Sequence, residues 1–114
     1  MDVSYVFACL VVADRDKAAA WYQRLLGRPA DLLPNDAEAM WQLTGSSSVY
    51  LLAEPGRAGQ GALTVAVADL DAAVAELARR GITAGRAEVV GGAGRKCVIA
   101  DPDGNQVALV ELAG

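Results

Sequence analysis

The sequence predicts an α+β protein made of two tandem modules, each with the element order βαβββ. The first observation is an internal repeat: residues 12–24 match residues 67–79 at seven of 13 positions, with a constant offset of 55. The second is that each copy follows an apolar, β-branched run of strand length and precedes several shorter strand candidates. The offset is nearly half of the 114 residues, which indicates one domain built from two structural repeats.

Each module is expected to begin with a strand that leads into a capped helix. The strands are the runs YVFACLVVA and ALTVAVA. Asp14 and Asp69 follow them at N-cap positions, where a short carboxylate accepts hydrogen bonds from the first free backbone amides. Apolar residues then recur with helical spacing. Gly27 and Gly81 stand where helices commonly end in a left-handed conformation.

Three shorter strands are predicted after each helix. In chain order they are at about residues 28–33, 39–43 and 48–53, and then at about 83–89, 95–100 and 106–111. The segment EPGRAGQG between the modules is predicted to be a linker. The single domain 1–114 therefore divides into module 1 at about residues 1–54, a linker at about 55–61 and module 2 at about 62–114.

The acidic stretch DPDGN, at residues 101–105, raises the question of a metal-binding loop. A calcium loop of the EF-hand type needs alternating oxygen ligands and a distant bidentate glutamate, and this stretch has neither. Its proline presets a turn backbone and its glycine supplies a positive φ, so we predict a turn that leads into the last strand. The glycine-rich stretch GGAGR lacks the features of a phosphate-binding loop and is predicted to be a strand connection.

The composition speaks against several classes of function. Apolar residues make up 54% and charged residues 21%, which is typical of a globular protein. The net charge of −4 disfavours a nucleic-acid partner, and no run approaches the roughly 20 apolar residues that span a bilayer. An N-terminus without a basic region and two cysteines without metal-type spacing favour a cytoplasmic protein with reduced thiols. The sequence has no histidine, the commonest general base and transition-metal ligand.

Two motifs resemble those of the glyoxalase/bleomycin-resistance/dioxygenase superfamily, also called vicinal oxygen chelate proteins. They are VADRDKAAAWYQRLLG at residues 12–27 and the turn DPDGN, and with the duplication they extend the resemblance over nearly the whole chain. The resemblance implies a curved, mostly antiparallel, eight-stranded open barrel around a central cavity. It leaves the function open, because the superfamily contains isomerases, dioxygenases, drug-modifying transferases and non-catalytic drug binders.

Catalytic members of that superfamily hold a divalent metal with histidine, glutamine and glutamate side chains. Counted from the capping aspartates and the last turn, the corresponding positions here are Phe7, Ala62 and Ala108, with Tyr50 at or near a fourth. Phe and Ala have no donor atoms, a neutral Tyr is a poor ligand, and shifting the three strand positions by one residue finds only glycine or apolar residues. The resemblance therefore leads us to expect a protein with no metal or other cofactor.

What remains is an apolar cavity with a few polar groups. Strand alternation and the resemblance place eight side chains toward this cavity. They are Phe7, Cys9, Trp41, Tyr50, Leu52, Thr64, Ala108 and Val110. Ligand pockets usually have this character. The facing of Trp41 is left open at this point, and in an alternative interpretation these side chains fill the barrel and leave no cavity.

Three functions are compatible with these residues. The leading hypothesis is a metal-free small-molecule binding protein of the bleomycin-resistance type, acting by sequestration or as a carrier, with a neutral or cationic and partly aromatic ligand. An alternative is a metal-independent glyoxalase-like isomerase or lyase; no catalytic residue is assigned, and Cys9 is the one plausible nucleophile. The third is a structural or regulatory dimeric module with no small ligand. The apolar composition and the resemblance favour a homodimer in each case.

Overall fold

In the computed structural model, which describes residues 1–113, the chain has the predicted order of elements. Module 1 contains β1 (Val6–Val12), α1 (Arg15–Leu26), β2 (Leu32–Asn35), β3 (Glu38–Thr44) and β4 (Ser47–Ala53). Module 2 contains β5 (Ala62–Ala66), α2 (Leu70–Arg79), β6 (Glu88–Val89), β7 (Gly94–Ala100) and β8 (Gln106–Leu112). A short 3₁₀ turn, Pro55–Arg57, lies between them. The α+β class and the order βαβββ are confirmed.

Each module forms its own four-stranded sheet, with the order β1-β4-β3-β2 in module 1 and β5-β8-β7-β6 in module 2. The first and last strands of each module pair in parallel, and the other neighbouring strands pair antiparallel. The sheets are curved and do not close on each other, which agrees with the mostly antiparallel open barrel that was expected.

Both helices begin after the predicted aspartates. The Asp14 carboxylate accepts a hydrogen bond from the amide three residues later at 2.9 Å, and the Asp69 carboxylate does the same at 3.0 Å. Gly27 and Gly81 have φ angles of 79° and 81°, the left-handed conformation that glycine adopts without steric penalty. The repeat seen in the sequence is therefore a repeat of capped strand–helix units.

The second strand of each module is shorter than predicted. Residues 28–31 precede β2 because Pro29 has no amide to donate and the Arg28 side chain bonds the Asp31 carboxylate and the Gln42 carbonyl. Residues 83–87 likewise precede β6, and a single amide among them, that of Gly85, bonds the edge of β7 at 3.0 Å. Both differences lie at the outer edges of the sheets.

The two modules share one hydrophobic core. Alternation along the strands gives each sheet a helix face, whose side chains enter this core, and an opposite face, called the open face below. The helix faces contribute Leu10, Val12, Trp41, Val49, Leu51, Cys97, Ile99, Val107 and Leu109. The helices contribute Ala18, Trp21, Tyr22, Leu25, Leu70 and Leu77. Within residues 1–113, no helix combines the length and apolarity needed to cross a membrane.

The turn DPDGN connects β7 to β8, as predicted, and also joins the modules. The buried Asp101 carboxylate accepts hydrogen bonds from the Tyr22 hydroxyl at 2.8 Å and from the Asn105 side chain at 2.9 Å. The Asn105 amide nitrogen also donates to the Val11 carbonyl at 2.8 Å, and its oxygen accepts from the Gly61 amide at 2.8 Å. This network fixes the position of module 2 against α1 and β1.

Candidate functional site

Open face 1, on the sheet of module 1, carries much of the predicted site. The register brings together Phe7, Cys9 and Val11 of β1, Ser48, Tyr50 and Leu52 of β4, and Glu38, Met40 and Gln42 of β3. Phe7 is 59% exposed although aromatic side chains are usually well buried. An exposed apolar group among polar neighbours is typical of a surface that binds a ligand or a partner.

Tyr5 extends the aromatic part of open face 1 and was missed at the level of sequence. Its ring centroid lies 4.6 Å from that of Phe7, and its hydroxyl shares a hydrogen bond with the Ser48 hydroxyl at 2.5 Å. Tyr5 stands two residues before Phe7, so the alternation that placed Phe7 on this face also applies to Tyr5. The two rings form a continuous aromatic edge.

Cys9 and Tyr50 are direct neighbours across β1 and β4. A hydrogen bond with the Cys9 thiol is the largest cause of a raised pKa of Tyr50. Tyr50 is therefore a neutral hydroxyl near neutral pH, able to donate or accept a hydrogen bond. Cys9 also lines a shallow pocket of about 230 Å³ together with Arg57, whose guanidinium is paired with Glu54 at 2.7 Å.

Open face 2, on the sheet of module 2, has smaller side chains. Its members are Ala62, Thr64 and Ala66 of β5, Gln106, Ala108 and Val110 of β8, and Lys96, Val98 and Ala100 of β7. The β5 members are all exposed. Apart from Lys96 and Gln106, this face offers a shallow apolar surface with the Thr64 hydroxyl near its centre.

The strand registers allow the two open faces to be compared position by position. The nine equivalent pairs are Phe7 with Ala62, Val11 with Ala66, Met40 with Val98, Tyr50 with Ala108, Leu52 with Val110, Gln42 with Ala100, Cys9 with Thr64, Ser48 with Gln106, and Glu38 with Lys96. In the first six pairs the residue of module 1 is larger than that of module 2, whereas Cys9 and Thr64 are similar in size and Ser48 is smaller than Gln106. In the last pair the charge is reversed, so the faces differ in both size and sign.

Trp41 lies outside both open faces, and its prediction as a cavity residue is wrong. Its side chain is fully buried on the helix face, where its ring centroid lies 6.2 Å from that of Tyr22. The indole N–H donates to the Arg28 carbonyl at 2.9 Å. Met40 takes the position on open face 1, because successive residues of a strand point to opposite faces.

The positions that correspond to the metal ligands of the superfamily all lie on the open faces. They are Phe7, Tyr50, Ala62 and Ala108. Residues 1–113 contain no group of three or more His, Cys, Asp or Glu side chains placed to hold a metal ion. The donor set therefore does not fit the divalent metal of the catalytic members, which needs imidazole nitrogen or carboxylate oxygen.

Within one chain the two open faces do not cover each other. Both helix faces point into the shared core, and side chains of both open faces are exposed. The remaining predicted cavity residues form two groups, which are Phe7, Cys9, Tyr50 and Leu52 on open face 1 and Thr64, Ala108 and Val110 on open face 2. The structure thus divides the predicted site between two surfaces.

The chain is similar to one protein family and to several proteins of known structure. A family model described as a glyoxalase-like domain matches residues 7–110. A glyoxalase/bleomycin resistance protein from Catenulispora acidiphila is 36% identical, with a TM-score of 0.88, over 96% of this chain and 98% of that chain. TnmS3, an antibiotic binding protein from Streptomyces sp. CB03234, is 25% identical with a TM-score of 0.80 over 99% of both chains. A bleomycin-binding protein solved with bleomycin shares the fold, with 22% identity and a TM-score of 0.79 over 99% of this chain and 100% of that chain. No curated protein sequence matched the chain significantly.

Proposed function

The chain belongs to the glyoxalase-like domain family, and on this basis we propose that it is a metal-free small-molecule binding protein of the bleomycin-resistance type. In this role it holds its ligand, by sequestration or as a carrier, without transforming it. The observation that carries the proposal is the presence of Phe7, Ala62 and Ala108 where catalytic members of the superfamily have metal ligands. The antibiotic-binding protein among the similar structures, at 25% identity, supports it.

The binding site in this proposal is completed by a second copy of the chain. Open face 1 of one protomer faces open face 2 of its partner, and the ligand lies between them. The exposure of both faces supports this arrangement, as does the match of larger side chains on open face 1 to smaller ones on open face 2. Glu38 and Lys96 give the two faces opposite charges, which favours their approach. A homodimer of this kind has two equal sites, as two-fold symmetry requires.

The ligand we propose is neutral or cationic and partly aromatic. Tyr5, Phe7 and Tyr50 offer ring surfaces for offset or edge-to-face stacking, which adds about 0.5–1.5 kcal/mol per contact beyond area burial. The hydroxyls of Tyr50 and Thr64 supply hydrogen bonds that fix its orientation. The net charge of −4 favours a positive group over a negative one.

A second candidate function, a metal-independent isomerase or lyase, is favoured by the position of Cys9 directly opposite Tyr50 on open face 1. In that case the thiol is the nucleophile or base and the neutral Tyr50 hydroxyl the proton donor. The variants Cys9→Ser and Tyr50→Phe would then abolish turnover and leave the dissociation constant nearly unchanged. A binding protein would leave every bound compound intact over time.

The test is a thermal-shift screen of antibiotics and aromatic metabolites. A ligand at about 100 times its dissociation constant stabilises the folded state by roughly 2.7 kcal/mol. In a domain of this size the melting temperature then rises by several degrees. Ala108→Trp fills open face 2 and is expected to weaken binding at least about 100-fold, because overpacking and lost contact act together. Ala75→Trp, on the exposed side of α2, is the matched control.

Each of three possible results would exclude one part of this proposal. Equal melting shifts in wild type and Ala108→Trp would locate the ligand away from open face 2. A monomeric mass by light scattering, from micromolar to tens of micromolar concentrations, would exclude the composite site. Stoichiometric metal by elemental analysis, removed by a chelator with loss of binding, would exclude the metal-free function.

A further inference from the structure

A second concave site lies between the modules, on the side of the sheets opposite to the open faces. The cavity has a volume of about 220 Å³ and is bounded by both helices and by the helix faces of both sheets. Its walls include Leu25 and Leu26 of α1, Leu63 and Val65 of β5, and Ala73 and Leu77 of α2. The surroundings are therefore largely aliphatic.

The polar groups at this cavity already have partners within the protein. Glu76 and Arg80 form an ion pair at 3.1 Å, and the Arg80 guanidinium also donates to the Leu25 carbonyl at 3.2 Å. The Tyr22 hydroxyl donates to Asp101 and is not available to a guest. The Glu76 side chain is 57% exposed, so the wall that carries the ion pair adjoins solvent.

We propose that this cavity is a binding site for a small, neutral, apolar molecule of about the size of indole or a substituted benzene. Protein interiors are close-packed, and a dry cavity of about 150 Å³ lined by Leu, Ile and Phe takes up benzene. A volume of about 220 Å³ accommodates a somewhat larger ring system. A charged guest loses its hydration without gaining a partner, because Glu76 and Arg80 neutralise each other at the rim.

This site is separate from the one proposed on the open faces. On β5, Val65 points into the cavity, whereas its neighbours Thr64 and Ala66 point to open face 2. The sheet itself stands between the two sites. Binding at one is therefore distinguishable from binding at the other, and the inference stands or falls independently of the proposed function.

The first experiment uses methyl NMR and calorimetry on the wild-type chain with indole and toluene as probes. Saturable binding is expected, with shifts of the Leu63, Val65 and Leu77 methyl signals and none at Val110 on open face 2. Benzoate and benzylammonium, which add a charge to the same ring, are expected to bind at least about tenfold more weakly. No saturable binding of either neutral probe would overturn the proposal.

The second experiment fills the cavity from α2. Ala73→Phe is expected to weaken indole binding at least about tenfold, whereas Ala75→Phe on the exposed side of the same helix leaves it within about twofold. If Ala73→Phe does not fold, Ala73→Val gives the same direction with a smaller change. Ala108→Trp is expected to leave indole binding intact. Equal binding by both α2 variants, or loss in Ala108→Trp, would assign the probe to another surface and reject this cavity.

Discussion

The open faces of the two modules are built on equivalent strands and differ in what their side chains can do. Open face 1 presents Phe7 and Tyr50, and open face 2 presents Ala62 and Ala108 at the equivalent positions. The strand order and pairing are the same in both modules, so the difference between a face with large side chains and a face with small ones comes from the side chains. Two copies of open face 1 would place bulk against bulk, whereas unlike faces are complementary.

The helix faces differ in a related way. Module 1 packs α1 through aromatic side chains, with Trp21 against Tyr22 at a centroid distance of 4.8 Å and Trp41 behind them. Module 2 packs α2 through Leu70 and Leu77, which are smaller. The cavity between the modules lies on the boundary of these two kinds of packing. The divergence of the repeats therefore affects the core as well as the surface.

The largest effect that we expect is a difference in reactivity between the two cysteines. Cys9 is exposed on open face 1, whereas Cys97 is buried on the helix face of module 2, and burial raises the pKa of its thiol. Thiolate is the reactive form, so we expect Cys97 to react with a disulfide reagent on the order of 1,000-fold more slowly than Cys9 in the folded protein. Absorbance of the released thiol follows the reaction, and Cys9→Ser removes the fast phase.

The same reaction also reports on pairing of the faces. If open face 2 of a partner covers open face 1, the rate at Cys9 rises when the protein is diluted below its dimer dissociation constant. A rate independent of concentration, with an unchanged dimer mass, would place the dimer contact elsewhere. Two equally fast thiols in the folded state would contradict the burial of Cys97.

The next largest effect concerns the hydrogen-bond network of the turn DPDGN, which joins the two modules and is called the joint below. Asp101→Ala removes the acceptor for the Tyr22 hydroxyl and for the Asn105 side chain. Buried donors left without partners destabilise the fold, so we expect the free energy of unfolding to fall by about 3 kcal/mol. Urea denaturation measures this loss. Asp103→Ala, in the same turn and without these bonds, is the control and should change it by less than about 0.5 kcal/mol.

The third prediction tests the hydrogen bond between Tyr22 and Asp101 in the same joint by changing the pH. Burial, followed by the hydrogen bond to Asp101, strongly raises the pKa of the Tyr22 hydroxyl above its usual value of 10.0. The folded state then holds this proton more tightly than the unfolded chain, so the stabilisation is complete below about pH 10 and is lost as the pH rises further. Tyr22→Phe lowers the free energy of unfolding by about 1 kcal/mol at pH 7. Its urea midpoint should approach that of wild type as the pH rises past 10, and parallel curves would contradict the assignment.

The smallest effect tests the charge difference between the open faces. Glu38→Lys makes both faces positive, and we expect it to weaken dimer association by about twofold to fivefold, an effect that salt reduces. The double variant with Lys96→Glu reverses both charges and is expected to restore association. Sedimentation or light scattering across a dilution series measures the change. If the double variant does not recover dimer association, the two charges do not interact with each other across the interface.

The backbone could be predicted from the sequence because its signals are local. Asp14 and Asp69 as caps, the glycines after the helices and the alternation around Phe7 each act within a few residues. The facing of Trp41 could not be predicted because β3 follows a turn whose length the sequence does not determine, and one residue of slip reverses every side chain.

The relations between modules could not be predicted for a different reason. The bonds of Asp101 to Tyr22 and of Asn105 to Val11 join residues that are 79 and 94 positions apart. A turn motif contains no information about such distant partners. For the same reason, the division of the predicted site into two exposed faces became visible only when the relative position of the sheets was known.

The joint made by the turn DPDGN has a consequence for biosynthesis. Chains are made from the N-terminus at roughly 5–20 residues per second, so the Tyr22 hydroxyl and the Val11 carbonyl are synthesised several seconds before Asp101 and Asn105. Until then module 1 has an unpaired hydroxyl and a half-built core that only module 2 can cover. The nascent chain therefore passes through an interval in which its first half is complete in sequence but exposed to chaperones, proteases and other unfinished copies, and the last turn ends that interval.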